Sequence, residues 1–218
     1  MQIDPIYIAV VIGVVLISMT FHEAMHGFMA YWLGDDTAKA EGRLTLNPLA
    51  HIDPFLTILL PIFLAIAGLP IFGGAKPVPF NPYRVRYGDF GAALVGIAGP
   101  LTNLVLAFIS FGLYVLVEQP TGVLIGQGTS TVGMVLAISV MVNLGFFIFN
   151  MLPIPPLDGS RVLYALAPEG ARKMMEIIEQ YGIIFVFAIV LLFSRQLGQF
   201  MLAAIQFFID VFSAIFGL

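Results

Sequence analysis

Cysteine is absent from the 218 residues, which excludes a disulfide framework, a thiolate metal site and a cysteine nucleophile. Charge is scarce as well. Only 10% of the residues are Asp, Glu, Lys or Arg, against about 25% in an ordinary soluble domain. The formal net charge is −4, and no basic stripe or run is present, so nucleic acid is not expected as a partner. Histidine is limited to His22, His26 and His51. No repeat, no low-complexity segment and no polar block long enough for a separate soluble domain interrupts the chain. The expectation is one membrane-embedded domain over residues 1–218, with a catalytic core over 6–167 and C-terminal helices over 168–218. The opening MQIDPIYIAVV has neither a basic n-region nor a small-residue cleavage site, so a removable signal peptide is not expected.

Apolar residues fill the space that charge leaves. They make up 60% of the chain, and the mean hydropathy is +1.00. A spanning helix needs about 20 mostly apolar residues. The candidates are Ile6–Leu33, Phe55–Phe72, Gly91–Val117, Val132–Leu152, Ile183–Phe193 and Leu197–Phe216. Between the first two, Gly42, Arg43, Leu44, Thr45 and Leu46 alternate and stop at Asn47-Pro48, which reads as a short strand. Asp53-Pro54 reads as a helix cap followed by proline at the first helical position. Gly73–Arg86 is rich in proline and extended. In EGARKMMEIIEQYG, Met174, Met175, Ile177 and Ile178 oppose Arg172, Lys173, Glu176 and Glu179, the pattern of an interfacial helix. The fold class expected is an all-α polytopic membrane protein with a small membrane-associated β element. Five or six transmembrane helices are expected, with one intermediate segment re-entrant.

Between Asp4 and Asp35 the only charged residue is Glu23, flanked by His22 and His26 in FHEAMHG. The histidines are one helical turn apart, so they share a face. HExxH on a helix is the two-ligand half of a zinc site, and the glutamate after the first ligand can deprotonate water. A chance match is common in soluble helices, but an ionisable group inside a bilayer costs at least about 2.5–3.5 kcal/mol and marks function. A catalytic zinc needs a third ligand and an open position. Carboxylates within or beside apolar segments are Asp53, Asp89, Glu118, Asp158 and Asp210. Asp158 stands out because no charge separates it from Glu118 and because Pro153, Pro155 and Pro156 break the helix before it. Irregular backbone at depth must be buried in protein or line a wet cavity. From its residues alone, Asp158 reads equally as a ligand on a turn or as a cap for the helix that starts near Ser160.

HEAMH at 22–26, AGPLTN at 98–103 and FNMLPIPPLDG at 149–159, in that order, resemble the site-2 protease family of intramembrane zinc metalloproteases. The resemblance runs from about Ile6 to Ala167. It implies a zinc cofactor held by His22, His26 and Asp158, with Glu23 as catalytic base. It also implies that Asn150, in the segment before LDG, holds the substrate or its oxyanion. The expected partners are a membrane-protein substrate with a transmembrane helix and the lipid bilayer. Many family members add PDZ or CBS domains, and this chain shows neither.

A shared metal constrains topology. At 1.5 Å per residue, His22 lies about 24 Å along its helix from Ile6, whereas Asp158 follows the far end of the helix that begins near Val132. The two meet only if those helices run parallel, so one segment between them must leave by the side it came from. The candidate is Phe55–Phe72, interrupted by Pro61, Gly68 and Pro70. That arrangement puts Lys39, Arg43, Lys76, Arg84, Arg86, Arg161, Arg172 and Lys173 on one side and only Arg195 on the other. The positive-inside rule then sets the N-terminus outside and the C-terminus in the cytoplasm, with the cell membrane as location.

The reaction these features suggest is peptide-bond hydrolysis in or beside a substrate's transmembrane helix. The strand Gly42–Asn47 would bind the unwound substrate by edge pairing. His51 reads as structural, Asn103 as a link between helices, and Gly96 and Gly99 as sites of close helix contact. Trp32 and Tyr31 read as interfacial aromatics. Two other readings use the same residues: a metal-ion transporter, disfavoured by the lack of internal symmetry, and a pseudo-protease that binds helices without cutting them.

Overall fold

The structure is a computed structural model that describes residues 4–66, 73–119 and 130–218. Helix α1 spans Pro5–Trp32, started by the Asp4 carboxylate, which accepts the Ile6 N–H at 2.9 Å, and by proline in the first turn. After the one-turn α2 (Thr37–Ala40) come a 3₁₀ turn at Pro48–His51 and a π-type turn at Pro54–Leu59 that runs into α3 (Leu60–Ile66). Asp53 caps that turn as its sequence predicts, accepting from the N–H groups of Phe55 and Leu56. The long helices α4 (Gly88–Glu118) and α5 (Thr131–Asn150) follow. Short α6 (Gly159–Leu166), amphipathic α7 (Glu169–Gln180), α8 (Gly182–Leu192) and α9 (Ser194–Phe216) complete the chain.

Four helices, α1, α4, α5 and α9, are long and apolar enough to cross a membrane among the described residues. A fifth is gained if α7 and α8, bent by 88°, count as one span. Five or six were expected, and the difference has two sources. Helix α8 has only 11 residues, about 16 Å of rise against a hydrocarbon core of about 30 Å. The segment expected at Phe55–Phe72 is helical to Ile66, and its Gly68 and Pro70 lie outside the described residues.

Hydrogen bonds fix the helix directions. Along α4, Val95 pairs with His26 and Asn103 with Ser18, so α4 runs opposite to α1. Asn103 also pairs with Asn143, and Ser110 with Ser139, so α5 runs opposite to α4. Helices α1 and α5 are therefore parallel, as a shared ligand depth demands. Backbone bonds close the excursion between α1 and α4. The Arg86 N–H donates to the Leu33 carbonyl at 2.9 Å, so the excursion between α1 and α4 ends where it starts. Inside it, the Gly74 N–H donates to the Leu56 carbonyl at 3.1 Å, and the Thr57 hydroxyl donates to the Gly74 carbonyl at 2.7 Å. Gly74 thus sits beside Leu56 and Thr57.

The main apolar core joins α4, α5 and α9 through Phe111, Val140, Leu144, Ile205, Ile209 and Phe212. Gly112 leaves room for the Phe216 ring, whose Cζ would lie 2.8 Å from an added Cβ.

The strand expected at Gly42–Asn47 is not formed. Gly42 has φ of 66° and ends α2. Its N–H donates to Lys39, and the Arg43 N–H to Ala38, the paired bonds of a helix stop with glycine at the left-handed position. Asn47 then caps the 3₁₀ turn by accepting the Leu49 N–H at 3.1 Å. Turn and cap bonds consume the backbone groups that a ladder would need. At the end of α1, Asp35 is fully buried and accepts from the Thr37 hydroxyl at 2.5 Å and the Asn81 N–H at 2.5 Å. Burial alone would raise its carboxyl, but the Thr37 hydroxyl and the Asn81 and Thr37 N–H groups outweigh it and hold the group below its ordinary value.

Candidate metal centre

His22 and His26 project from one face of α1, both buried, with ring centroids 4.8 Å apart. Each ring is anchored through Nδ1. His22 Nδ1 lies 2.6 Å from Asn103 Oδ1, and His26 Nδ1 lies 2.7 Å from the Val95 carbonyl. Both partners only accept, so Nδ1 carries the hydrogen in each ring and Nε2 is left with a lone pair. Both Nε2 atoms face Asp158 Oδ2, at 3.1 Å from His22 and 3.5 Å from His26. Two imidazole nitrogens and a carboxylate oxygen converging on one point need a positive centre among them, either a proton on a ring or a bound cation. Donors held at about 2.0–2.1 Å in a tetrahedron stand roughly 3.3–3.4 Å apart, and the two distances to Asp158 Oδ2, 3.1 and 3.5 Å, bracket that spacing.

The turn Met151–Asp158 brings the carboxylate across from α5. Asp158 occupies the cap position of α6 but makes no capping hydrogen bond; its side chain reaches the histidines instead. Gly159 is required by the turn, since an added Cβ would lie 2.6 Å from the Met151 carbonyl carbon and 2.7 Å from the Leu152 oxygen. Gly96 lets α6 approach, with the Asp158 carbonyl 3.0 Å from where a Cβ would be. Gly99 forms the floor. A Cβ there would lie 2.8 Å from His22 Nε2 and closer still to His26 Nε2, so any side chain would fill the space where the three donors meet.

Glu23 belongs to the same cluster, its carboxylate within 4.8 Å of the ring nitrogens of His22 and His26. Its Oε2 accepts the Val78 N–H at 3.0 Å. A cleft of about 410 Å³ opens onto His22, Glu23 and Asp158, walled by Met19, Leu56, Phe146 and the Gly73–Ala75 backbone. Asn150 lines it too, its amide donating back to the Phe146 carbonyl at 3.0 Å. His51, fully buried, pairs through Nε2 with the Thr45 carbonyl at 2.8 Å and serves the loop. Gly42–Asn47 is not among the residues that line the cleft.

The sequence reading had Asn103 as a link between helices but missed its bond to His22 and the partners around it. Asn103 links three helices, its Nδ2 donating to Asn143 Oδ1 at 2.8 Å and to the Ser18 carbonyl at 3.3 Å. Asn143 in turn donates to Ser18 Oγ at 2.9 Å. Ser18, one turn before His22, and Asn143, alone in an apolar run, could have been found as polar residues at membrane depth. The Val95 carbonyl carries no sequence signal. Asn103→Leu removes the acceptor for His22 Nδ1 and strands Asn143. It is expected to weaken divalent-metal affinity by about 10–100-fold and stability by roughly 1–3 kcal/mol. Metal titration and thermal unfolding check this, and unchanged affinity would refute it.

Comparison with known proteins places these motifs in context. The description "Peptidase family M50" matches residues 123–194. Two relatives are each named "Putative zinc metalloprotease". YwhC of Bacillus subtilis is 41% identical over 206 residues, 92% of this chain and 90% of the relative. Rip2 of Mycolicibacterium smegmatis is 32% identical over 207 residues, 94% of this chain and 74% of the relative. A shorter match, 41% over 69 residues, covers 32% of the chain and 31% of MJ0611 of Methanocaldococcus jannaschii. No solved structure matches.

Proposed function

Because the chain belongs to peptidase family M50, that of the site-2 proteases, we propose that it is a multi-pass membrane zinc metallopeptidase hydrolysing a peptide bond in or next to a substrate's transmembrane helix. The observation that carries this reading is the convergence of His22 Nε2, His26 Nε2 and Asp158 Oδ2, with the Glu23 carboxylate beside them at a cleft.

His22, His26 and Asp158 hold the ion, and the anchored Nδ1 atoms keep both rings turned toward it. Zinc, when bound, supplies Lewis acidity and makes water acidic enough to lose a proton near neutral pH. Glu23 accepts the proton of the attacking water and returns it to the leaving amine. Asn150, in the cleft wall, hydrogen-bonds the substrate backbone or the oxygen on which charge develops. A helical substrate hides its carbonyls and must unwind before it can enter. Broken backbone at Gly73–Ala75 and at Pro156 and Leu157 lines a path that water can share. The single domain, with core 6–167 and C-terminal helices 168–218, lies in the cell membrane and, with α7 and α8 counted as one span, has its N-terminus outside and its C-terminus in the cytoplasm. The parallel run of α1 and α5 and the skewed Lys and Arg distribution support that orientation.

Metal removal tests the reading. Purified protein is expected to carry about one zinc ion per chain. It should cleave a synthetic transmembrane peptide in vesicles, lose cleavage on chelation and regain it with zinc. Metal flux across the vesicles without any cleavage would assign the cluster to transport and overturn the proposal.

A further inference from the structure

The carboxylate assigned to proton transfer is gripped by an element that no motif marks. Glu23 Oε2 accepts the backbone N–H of Val78 at 3.0 Å. Val78 stands between Pro77 and Pro79. Proline has no N–H, so this is the one backbone donor in the Pro77–Val78–Pro79 step. The step is held from several sides. Arg43, 9% exposed, donates Nη2 to the Lys76 carbonyl at 2.9 Å and to the Pro77 carbonyl at 3.4 Å. The Lys76 N–H donates to the His51 carbonyl at 2.9 Å. The buried Val78 side chain packs over Gly27 of α1, its Cγ1 3.0 Å from where a Cβ on that glycine would stand. Asn81, just beyond, is pinned to Asp35 at the end of the same helix.

We infer that Pro77–Val78–Pro79 is a positioning device for Glu23, and that Arg43 is a positioning residue acting through it. The inference rests on the metallopeptidase reading of Glu23. A glutamate on a helix has several rotatable bonds and can swing away from the reacting centre. With Oε2 fixed to Val78, Oε1 is the oxygen left to take a proton. The flanking prolines fix their own φ angles and remove rival donors, so the carboxylate has no neighbouring N–H to slip onto. A shift of about 1 Å in a reacting group can cost roughly 10²-fold in rate. Arg43 therefore has a task different from the substrate pairing its sequence context suggested.

The test compares Val78→Pro, which deletes the N–H, with Val78→Ala, which keeps it and trims the packing. Cleavage of the transmembrane peptide, zinc content and Tm are read for each, with Glu23→Gln as the inactive reference. Val78→Pro is expected to lower kcat by about 30–100-fold with KM and zinc content unchanged, and Val78→Ala to stay within about threefold of wild type. Equal effects from the two variants, or wild-type kcat in Val78→Pro, would overturn the positioning role. Should Val78→Pro not accumulate, Arg43→Ala carries the test. Its kcat should fall about tenfold and recover in Arg43→Lys, which still donates a hydrogen bond. A rise in KM at unchanged kcat would instead assign Arg43 to substrate contact and overturn the inference. If Glu23→Gln is inactive while Val78→Pro is not, only the positioning role falls; if Glu23→Gln cleaves as wild type does, the metallopeptidase reading falls and takes this role with it.

Discussion

Glu23→Gln is expected to lower peptide cleavage by about 10²–10⁴-fold while zinc stays bound. The substitution keeps the length of the side chain and its acceptor oxygen, so the bond to the Val78 N–H at 3.0 Å can persist. His22 and His26 are held through Asn103 and Val95, not through Glu23, so their Nε2 atoms stay in place. Only the capacity to take a proton is lost. Rate measurements on the transmembrane peptide, paired with elemental analysis of the same sample, check both halves. Cleavage at the wild-type rate would remove Glu23 from the reaction, and loss of zinc would make it a ligand.

Gly99→Ala is expected to abolish both metal binding and cleavage, leaving less than about 0.1 zinc per chain. The new methyl would sit 2.8 Å from His22 Nε2 and nearer still to His26 Nε2. Helix α4 cannot retreat freely, because Asn103 on the same helix is bonded to His22, Ser18 and Asn143. The overlap is expected to cost about 1–3 kcal/mol, offset only in part by alanine's helix propensity of about 1 kcal/mol, so the variant should still fold, with a modestly lower Tm, while the site closes. Fold and function would separate in one variant. Full zinc occupancy in Gly99→Ala would show that the donors meet elsewhere.

The helices and the His22, Glu23 and His26 cluster were legible because membrane burial leaves a strong mark. Long apolar runs announced α1, α4, α5 and α9. Two imidazoles and a carboxylate inside such a run outweighed the reading as a chance match, because an ionisable group in a bilayer is costly. Asp158 was legible only as a candidate, since the same Asp-Gly could cap a helix; its orientation depends on the three-dimensional turn. The strand was misread because Gly42–Leu46 alternates in polarity, yet glycine with positive φ ends a helix there. Period-two patterning over so few residues cannot tell a ladder from a helix stop followed by a cap. The grip of Val78 on Glu23 and of Val95 on His26 was out of reach, because backbone N–H and C=O groups are common to nearly every residue. Of the ring supports, Asn103 was seen as a link between helices, but its aim at His22 Nδ1 was not.

The contact between Leu33 and Arg86 turns everything from α2 to the start of α4 into a loop with a closed neck. A loop joined at its base transmits little of its own length to the scaffold, since closing a longer one adds only about 0.6 kcal/mol per doubling. Residues could be gained or lost away from the neck and from the Arg43, Lys76 and Val78 contacts that hold Glu23, and whole modules grafted there, without changing how the histidine-bearing helix meets Gly99. Diversity in what the protein engages can therefore accumulate in this appendage while the ion-binding frame stays constant.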